Sequence, residues 1–291
     1  MNNMTEQPQN IQEALRWASL FLQSHEKEPK VAEILIQHHA GLSKAMLLAS
    51  LRDKLSEQTW HAFRKDVEAH AATSVPVQHL TGKEQFYGSE FVVNGDVLIP
   101  RPETEELVAG LLDYLTKQKP EAEIVDVGTG SGIIAVSLKK ELPGLHVQAT
   151  DISKGALAVA RQNAARLEAD VTFYEGNFLQ PLLDQGIQVD VIVSNPPYIA
   201  YQEEAALDDT VKNYDPALAL FAAENGLAAY REILTQAVSV LKKEGLLAFE
   251  IGYEQGEAVR QLIQAFFPDS KIEVRKDING KDRMVFAAIS R

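Results

Sequence analysis

The feature that most constrains the fold is a short apolar segment that runs directly into a cluster of glycines. Glu123-Ile124-Val125-Asp126-Val127 is followed by Gly128-Thr129-Gly130-Ser131-Gly132 and then by a helical pattern over residues 133–142. Glycines let the backbone turn sharply and approach a ligand, and the first turn of a helix offers free N–H groups. The pattern predicts a nucleoside-cofactor site or, as the alternative, a glycine turn that only packs a helix on a strand.

Two carboxylates near this turn indicate which cofactor would bind. The next predicted strand, residues 146–150, ends in Asp151, where a carboxylate can bind a ribose diol. Asp126 lies two residues before the first glycine, which suits a ligand with an ammonium or sulfonium group better than a pyrophosphate. The turn is also Gly-x-Gly-x-Gly rather than Gly-x-Gly-x-x-Gly. These observations favour S-adenosylmethionine over NAD.

Strand and helix patterns alternate through the rest of the chain and end in a hairpin. Alternation of this kind predicts an α/β fold with a doubly wound, mostly parallel sheet and helices on both faces. Strand 171–175 is followed by Phe178, which either meets an adenine ring or covers the sheet edge as a core residue. The remaining predicted elements are helix 156–167, strand 189–194, helix 227–241, strand 246–251, helix 257–267 and strands 271–277 and 284–289.

A second motif, Asn195-Pro196-Pro197-Tyr198, follows the apolar strand 189–194. Its position predicts that it lies at the carboxyl edge of the sheet, where open α/β folds bind ligands. Asn195 and nearby backbone carbonyls can accept hydrogens from a planar NH2 group, and Tyr198 can stack on its plane. The motif therefore predicts a site for an amide or an exocyclic amine. Residues 200–225, which follow it, show little periodicity and predict a functional loop.

The first third of the chain shows almost no strand pattern. Helical patterns cover residues 11–24, 31–39, 43–51 and 59–71. We predict three domains: a helical substrate-docking domain over residues 1–75, a β-hairpin connector over residues 76–100, and a catalytic domain over residues 101–291. The histidines of the first domain lack the spacing of metal ligands, and we predict no metal site.

Pro100-Arg101-Pro102-Glu103-Thr104-Glu105 lies between the predicted hairpin connector and the strand that precedes the glycine turn. Proline and acidic residues in a first turn make a good helix start on structural grounds alone. A good helix start does not explain Arg101. This residue lies between two prolines, whose restricted backbone would hold its positive charge in a fixed direction. Arg101 is therefore a candidate substrate-binding residue.

Composition excludes several classes of function. The formal net charge of −13 argues against direct nucleic-acid binding, and the absence of cysteine excludes disulfides and thiolate chemistry. Met1 to Asn10 is polar, and no apolar run approaches the length of a membrane span. We expect a cytoplasmic protein without membrane contact, and a monomer.

Taken together, the sequence resembles the release-factor glutamine methyltransferases, a family of class I S-adenosylmethionine-dependent methyltransferases. These enzymes methylate the side-chain nitrogen of the glutamine in the Gly-Gly-Gln motif of peptide chain release factors, which modulates translation termination. The resemblance rests on Gln78-His79-Leu80-Thr81-Gly82, residues 98–105, the glycine turn, Asn195-Pro196-Pro197-Tyr198-Ile199 and Phe249-Glu250-Ile251-Gly252. Where the family has Gly-Gly-x-Asp-Gly, this chain has Ala222-Ala223-Glu224-Asn225-Gly226.

The resemblance implies a seven-stranded, Rossmann-like catalytic domain and a role for each motif. It implies that Gly128, Thr129, Gly130, Ser131 and Gly132 hold the methionyl end of the cofactor, whose product is S-adenosylhomocysteine. Asp151 would bind the ribose, Phe178 would lie at the adenine, and Asn195 would lie between cofactor and substrate. The substrate glutamine would lie against Asn195, Pro196, Pro197 and Tyr198, of which Asn195, Pro196 and Tyr198 are the candidate catalytic residues.

Three alternatives stay open from the sequence. The methyl acceptor could be a nucleobase amine, which presents the same kind of NH2 group, or a glutamine of a ribosomal protein. The third alternative is a protein that only senses the cofactor.

Overall fold

A computed structural model describes residues 7–291, so Met1 to Glu6 of the polar amino-terminal segment lie outside the described residues. The chain forms two compact units. One comprises residues 7–82 with Asp209–Tyr214, and the other comprises Lys83–Asp208 with Asp215–Arg291. Each of the two units is described below by itself.

The first unit is a bundle of helices around an aromatic and aliphatic core. Trp60 and Phe63 are buried in it beside Leu22, Leu35 and Ile36. A later segment of the chain completes the unit, because the Tyr214 hydroxyl donates to the carbonyl of Thr73 at 2.8 Å. Its helices are α1 Ile11–Ser24, α2 Val31–Ala40, α3 Lys44–Ala49, α4 Glu57–Thr73, α5 Val77–Thr81 and α10 Asp209–Tyr214.

The second unit is built on a seven-stranded sheet, which confirms the predicted fold class. The strands are β3 Glu123–Val127, β4 His146–Asp151, β5 Val171–Glu175, β6 Val189–Ser194, β9 Leu241–Glu250, β10 Lys271–Lys276 and β11 Asp282–Ser290. Their order in the sheet is β10-β11-β9-β6-β3-β4-β5. β11 is antiparallel to both of its neighbours, and the remaining pairs are parallel.

Helices cover both faces of this sheet because successive strand residues point to opposite faces. Ile124 packs with Leu107 and Leu111 in one core, and Val125 packs with Tyr230 and Ile233 in the other. The helices are α6 Pro102–Gln118, α7 Ile133–Glu141, α8 Lys154–Arg166, α9 Gln180–Gln185, α13 Ala228–Val240 and α14 Gly256–Phe266. No helix among residues 7–291 is long and apolar enough to cross a bilayer.

A β-hairpin precedes the sheet and packs into its first core. β1 Lys83–Phe86 and β2 Ser89–Val92 pair antiparallel, and Phe86 and Phe91 are buried. The amide Nδ2 of Asn163 donates to the carbonyl of Val92 at 2.9 Å and to that of Ser131 at 2.8 Å. Asn163 therefore ties the hairpin to the glycine turn.

The segment after β6, which its weak periodicity predicts to be a functional loop, contains short regular elements. It contains a pair of two-residue strands and several short helical turns, which are too short for a periodicity to be read from the sequence. These elements are β7 Ile199–Ala200, the 3-10 helix Tyr201–Ala206, α11 Ala217–Leu220, β8 Phe221–Ala222 and the helical turn α12 Ala223–Gly226.

One ion-paired aspartate ties together the amino-terminal edge of the sheet. Asp190 Oδ1 accepts from Lys119 Nζ at 2.8 Å, and Oδ2 accepts from Lys242 Nζ at 2.8 Å and from the backbone N–H of Glu123 at 3.0 Å. Partial burial alone would raise the pKa of Asp190, but these hydrogen bonds and the charge of Lys119 outweigh it and lower the pKa to about 2. The native state therefore binds the ionised form more strongly than the unfolded chain does.

We expect Asp190→Asn to reduce the free energy of unfolding at pH 7 by up to about 2 kcal/mol, since a pKa unit corresponds to about 1.4 kcal/mol. Because the folded-state pKa is depressed, the contribution is complete above the unfolded pKa, near 4, and is lost as the pH falls towards 2. Urea unfolding of both proteins at several pH values measures the difference. As a control, Asp113→Asn, which breaks an exposed pair with Lys117, should change stability by less than about 0.5 kcal/mol. Equal effects of the two substitutions would contradict the assignment.

Candidate active site

The carboxyl ends of β3 and β6 meet at the point where the strand order reverses. β3 has β4 on one side and β6 on the other, and open α/β sheets bind ligands in the crevice at such a point. A cavity lies there within the second unit. Of the site residues predicted from the sequence, these line the cavity: Arg101, Gly128, Thr129, Gly130, Ser131, Asp151, Phe178, Asn195, Pro196 and Pro197. Asp126, Gly132 and Tyr198 lie outside its lining.

The glycines of the turn differ in what surrounds them. A Cβ added to Gly128 or Gly130 would meet nothing within 4 Å, so both face open space. A Cβ on Gly132 would lie 3.1 Å from the Cβ of Ala160 on α8. The first two glycines leave room for a ligand, whereas Gly132 serves the close packing of α7 against α8. The packing interpretation therefore applies to Gly132, and cofactor binding at Gly128 and Gly130 stays a prediction.

Asp126 is buried beneath this turn and holds it. Its Oδ2 accepts from the Thr129 hydroxyl at 2.6 Å and from the N–H of Ala135 at 3.2 Å. Burial raises the pKa of Asp126 to about 7, the two hydrogen bonds oppose the rise, and the nearby charge of Asp151 adds to it. Its Oδ1 is buried without a hydrogen-bond partner among residues 7–291. A nearby cationic ligand would offset the cost of this buried negative charge.

Asp151 ends β4 at the cavity wall, and its carboxylate is fixed by the backbone. Oδ2 accepts from the N–H of Gly130 at 2.9 Å, and Oδ1 accepts from the N–H of Ser153 at 2.8 Å. Each carboxylate oxygen has more than one acceptor site. The group can therefore accept further hydrogens from hydroxyl groups of a ligand.

Phe178 lines the cavity and also packs against the core, so the two alternatives from the sequence are compatible. Its backbone has a φ of 49°, in the left-handed region that non-glycine residues rarely adopt. The next residue is anchored, because the N–H of Leu179 donates to Oε1 of Gln236 at 2.6 Å. Backbone strain of this kind clusters at active sites and ligand-binding segments.

Asn195 is part of a hydrogen-bonded chain that the sequence did not predict. Its Nδ2 donates to Oγ1 of Thr104 at 3.3 Å, and the Thr104 hydroxyl donates to Oε2 of Glu250 at 2.6 Å. Thr104 lies in the first turn of α6, and Glu250 is the last residue of β9. Both residues belong to motifs that carry the family resemblance, and this was the signal in the sequence that could have identified them as site residues. The contacts themselves join residues that are 91 and 146 positions apart in the sequence. They are therefore visible only in the folded structure.

Glu250 is a buried carboxylate at this site. Burial raises its pKa to about 7, while the hydrogen bond from Thr104 and the charge of Arg283 oppose the rise. The Tyr198 hydroxyl lies 3.4 Å from the other carboxylate oxygen, which makes a long and weak hydrogen bond. Burial also raises the pKa of Tyr198, with the charge of Glu250 adding to the effect. Tyr198 therefore remains a neutral phenol at ordinary pH.

The loop that carries Tyr198 is held by two residues that sequence reasoning did not single out. The carbonyl of Tyr198 accepts from Nε2 of Gln255 at 2.9 Å. Gly226 has a φ of +83°, and a Cβ added there would lie 2.0 Å from the same carbonyl oxygen. Only glycine fits this position. The loop 222–226, which departs from the family pattern, thus keeps the glycine on which the contact depends.

Arg101 extends along the cavity wall and is paired with a buried aspartate. Its guanidinium donates to Oδ2 of Asp215 at 2.9 Å, and the Asp215 side chain is only 2% exposed, against 44% for Arg101. The pair fixes the cation at the cavity while leaving part of it accessible.

No group of three or more His, Asp or Glu side chains that could hold a metal ion occurs among the residues that the structure describes.

Comparison with known proteins identifies the family. The chain is 46% identical to a release factor glutamine methyltransferase of Bacillus subtilis, over 97% of this chain and 98% of the relative. It is 42% identical to the Enterococcus faecalis protein of the same description, over 94% and 98% of the two chains. The chain belongs to the release factor glutamine methyltransferases.

Family models agree with this membership of the release factor glutamine methyltransferases. Residues 108–218 match the methyltransferase small domain, and residues 13–82 match the PrmC N-terminal domain. Among solved structures, a methyltransferase from Pyrococcus furiosus matches with a TM-score of 0.51 at 13% identity, over 81% of this chain and all of that one. A T. thermophilus 16S rRNA methyltransferase matches with a TM-score of 0.50 at 16% identity, over 72% and 50% of the two chains. At such identities these two likenesses concern the fold alone.

We expect Gly226→Ala to destabilise the protein by more than about 3 kcal/mol, because the added Cβ would overlap a backbone carbonyl and the left-handed φ adds about 1–2 kcal/mol. Thermal or urea unfolding measures the loss. Gly186→Ala is the matched control, since Gly186 also has a positive φ of +64° but has open space around its Cβ position. The control should cost only about 1–2 kcal/mol. If both substitutions cost the same, the contact with the Tyr198 carbonyl is not a constraint on the loop.

Proposed function

We propose that this protein transfers the methyl group of S-adenosylmethionine to the side-chain amide nitrogen (N5) of the glutamine in the Gly-Gly-Gln motif of peptide chain release factors. The products are the N5-methylated glutamine, S-adenosylhomocysteine and a proton. The observation that carries the proposal is that Asn195 and the glycine turn line one cavity at the reversal point of the sheet. Membership of the family supplies the substrate class.

The residues around the turn fit a cationic nucleoside. The carboxylates of Asp126 and Asp151 make the electrostatic potential at this edge of the sheet more negative when they are ionised. One oxygen of the buried Asp126 has no hydrogen-bond partner among residues 7–291. Gly128 and Gly130 leave open space, and Asp151 can accept hydrogens from ribose hydroxyls. When bound, S-adenosylmethionine supplies an electrophilic methyl group on a positively charged sulfur. Thr129, Ser131, Gly132 and Phe178 complete the proposed cofactor-binding set.

The motif after β6 supports binding of the substrate glutamine. An amide nitrogen is a poor nucleophile because its lone pair is delocalised into the carbonyl group. Asn195 Oδ1 and the backbone carbonyl of Pro196 can accept its two hydrogens, which orients the nitrogen and increases its electron density. The two prolines restrict the backbone here. Tyr198 is a neutral phenol near Glu250 and lies outside the cavity lining, and its contact with the substrate stays part of the proposal. Orientation of this kind contributes up to about 7–11 kcal/mol in well-aligned systems.

Further parts of the proposal concern the substrate protein. Arg101, fixed by Asp215 at the cavity, is proposed to contact the release factor beside its glutamine. The helical domain, residues 1–75, is proposed to dock the release factor, with residues 76–100 as connector and 101–291 as catalytic domain. We further propose a cytoplasmic location, because its substrates act at the ribosome, and a monomeric state. The net charge of −13 disfavours direct binding of nucleic acid.

The test is transfer of labelled methyl from S-adenosylmethionine to purified release factor. We expect stoichiometric labelling of the wild-type factor, and a reduction of at least about 100-fold when the Gly-Gly-Gln glutamine is replaced by alanine, since the methyl acceptor is then missing. Ribosomal RNA and ribosomal protein serve as competing acceptors in parallel reactions.

Persistent labelling of the factor without its glutamine would refute the assigned target. Labelling of RNA or of ribosomal protein in preference to release factor would replace the proposal with one of the alternatives that the sequence left open. Tight cofactor binding with no methyl acceptor among the three would favour a sensor.

A further inference from the structure

The amide of Asn195 has two possible orientations, and only one of them suits the proposed reaction. The oxygen and nitrogen of an Asn side chain are similar in size, so hydrogen-bond partners decide which of them points where. A substrate NH2 group needs an acceptor. If the amide were reversed, Asn195 would present a second NH2 group to the substrate NH2, and two donors would face each other.

The neighbouring side chains determine this orientation. Thr104 and Glu250 are each 1% exposed, and the Thr104 hydroxyl donates to Oε2 of Glu250 at 2.6 Å. At a pH above 7, where Glu250 is mostly ionised, its carboxylate only accepts hydrogen bonds, and a hydroxyl has a single hydrogen. The hydrogen of Thr104 is therefore committed to Glu250, and only the lone pairs of Oγ1 remain for Asn195. Asn195 must then place its NH2 group towards Thr104, at 3.3 Å, and its oxygen on the other side.

The backbone that carries the Glu250 carboxylate is itself held in place. The backbone carbonyl of Glu250 accepts from the buried Tyr230 hydroxyl at 2.8 Å. The guanidinium of Arg283 donates to the carbonyl of the adjacent Ile251 at 3.3 Å and to Asp277 at 3.3 Å, and its charge stabilises the ionised form of Glu250. Burying a carboxylate costs free energy of folding unless the group is hydrogen-bonded. Here the buried carboxylate accepts from Thr104, so that each donor in the series from Asn195 through Thr104 to Glu250 points towards Glu250.

We propose that Thr104 and Glu250 are positioning residues, which hold the Asn195 amide with its oxygen available to the substrate. The inference rests on the proposed function for its effect on methyl transfer, but the orientation itself can be measured separately. Neither residue contacts the substrate in this scheme; both act through Asn195.

The kinetic test uses three variants of the full-length protein at pH 8, where Glu250 is mostly ionised. Thr104→Val removes the hydroxyl at nearly constant volume, and we expect kcat for release factor methylation to fall about 10- to 100-fold while the KM for S-adenosylmethionine changes less than about twofold. Thr104→Ser keeps the hydroxyl and should retain most of the turnover. Glu250→Gln offers an NH2 group that can donate to Thr104. The Thr104 hydroxyl could then donate to the Asn195 oxygen and turn the Asn195 amide round, so kcat should again fall with little change in the KM for the cofactor.

The orientation is read without any substrate from side-chain amide exchange. In protein labelled with 15N-asparagine, the Asn195 signal is assigned by its absence in Asn195→Ala. Exchange of its NH2 hydrogens with water should be slow in the wild type and in Thr104→Ser, and faster in Thr104→Val. Thermal unfolding of each variant shows that the comparison is between folded proteins.

Three results would overturn the inference: near-normal kcat in Thr104→Val, equal loss in the Val and Ser variants, or unchanged exchange at Asn195 in Thr104→Val. If the wild type fails to methylate release factor, the proposed function fails, and the exchange measurement still decides the orientation of Asn195.

Discussion

The parallel pairing of β3 with β6 is the interaction on which the site depends. Ile124, Val125 and Asp126 lie opposite Val191, Ile192 and Val193, so the two strands end together. Because the sheet order reverses here, no crossover helix fills the crevice beyond their ends. The glycine turn after β3 and the motif after β6 therefore line one cavity, although 62 residues lie between Gly132 and Asn195. The register brings the proposed methyl donor and methyl acceptor together.

Carboxylates serve different purposes at the two ends of this sheet. At the amino-terminal edge, Asp190 is paired with two lysines, and its lowered pKa stabilises the fold. At the carboxyl edge, Asp126 and Glu250 are buried with raised pKa values, which is unfavourable for folding when they are ionised. Each of the two is hydrogen-bonded to a threonine that contributes to the site, Thr129 or Thr104. At the carboxyl edge, burial of these two carboxylates thus lowers the stability of the fold and at the same time fixes the positions of the polar groups.

The sequence predicted those features that are local. The glycine turn, the Asn195 motif and the strands 171–175 and 189–194 have strong local patterns, and the structure has both strands with the same bounds. Thr104, Glu250 and Gln255 could not be assigned because their partners are distant in sequence and a lone polar residue has no periodicity. The role of Gly226 depends on a backbone contact that no pattern encodes. Residues 200–225 were expected as a loop because elements of two to six residues are too short to show a period.

The central claim is that Asn195 presents the substrate amide to the cofactor held by the neighbouring turn. Its most direct test is to compare methyl transfer to release factor with S-adenosylmethionine affinity, by calorimetry, in Asn195→Ala. The account predicts that transfer falls below about 1% of the wild-type rate, since positioning can contribute many orders of magnitude, while cofactor affinity weakens only severalfold. Near-normal turnover in this variant would contradict the account, as would a loss of transfer explained entirely by lost cofactor binding.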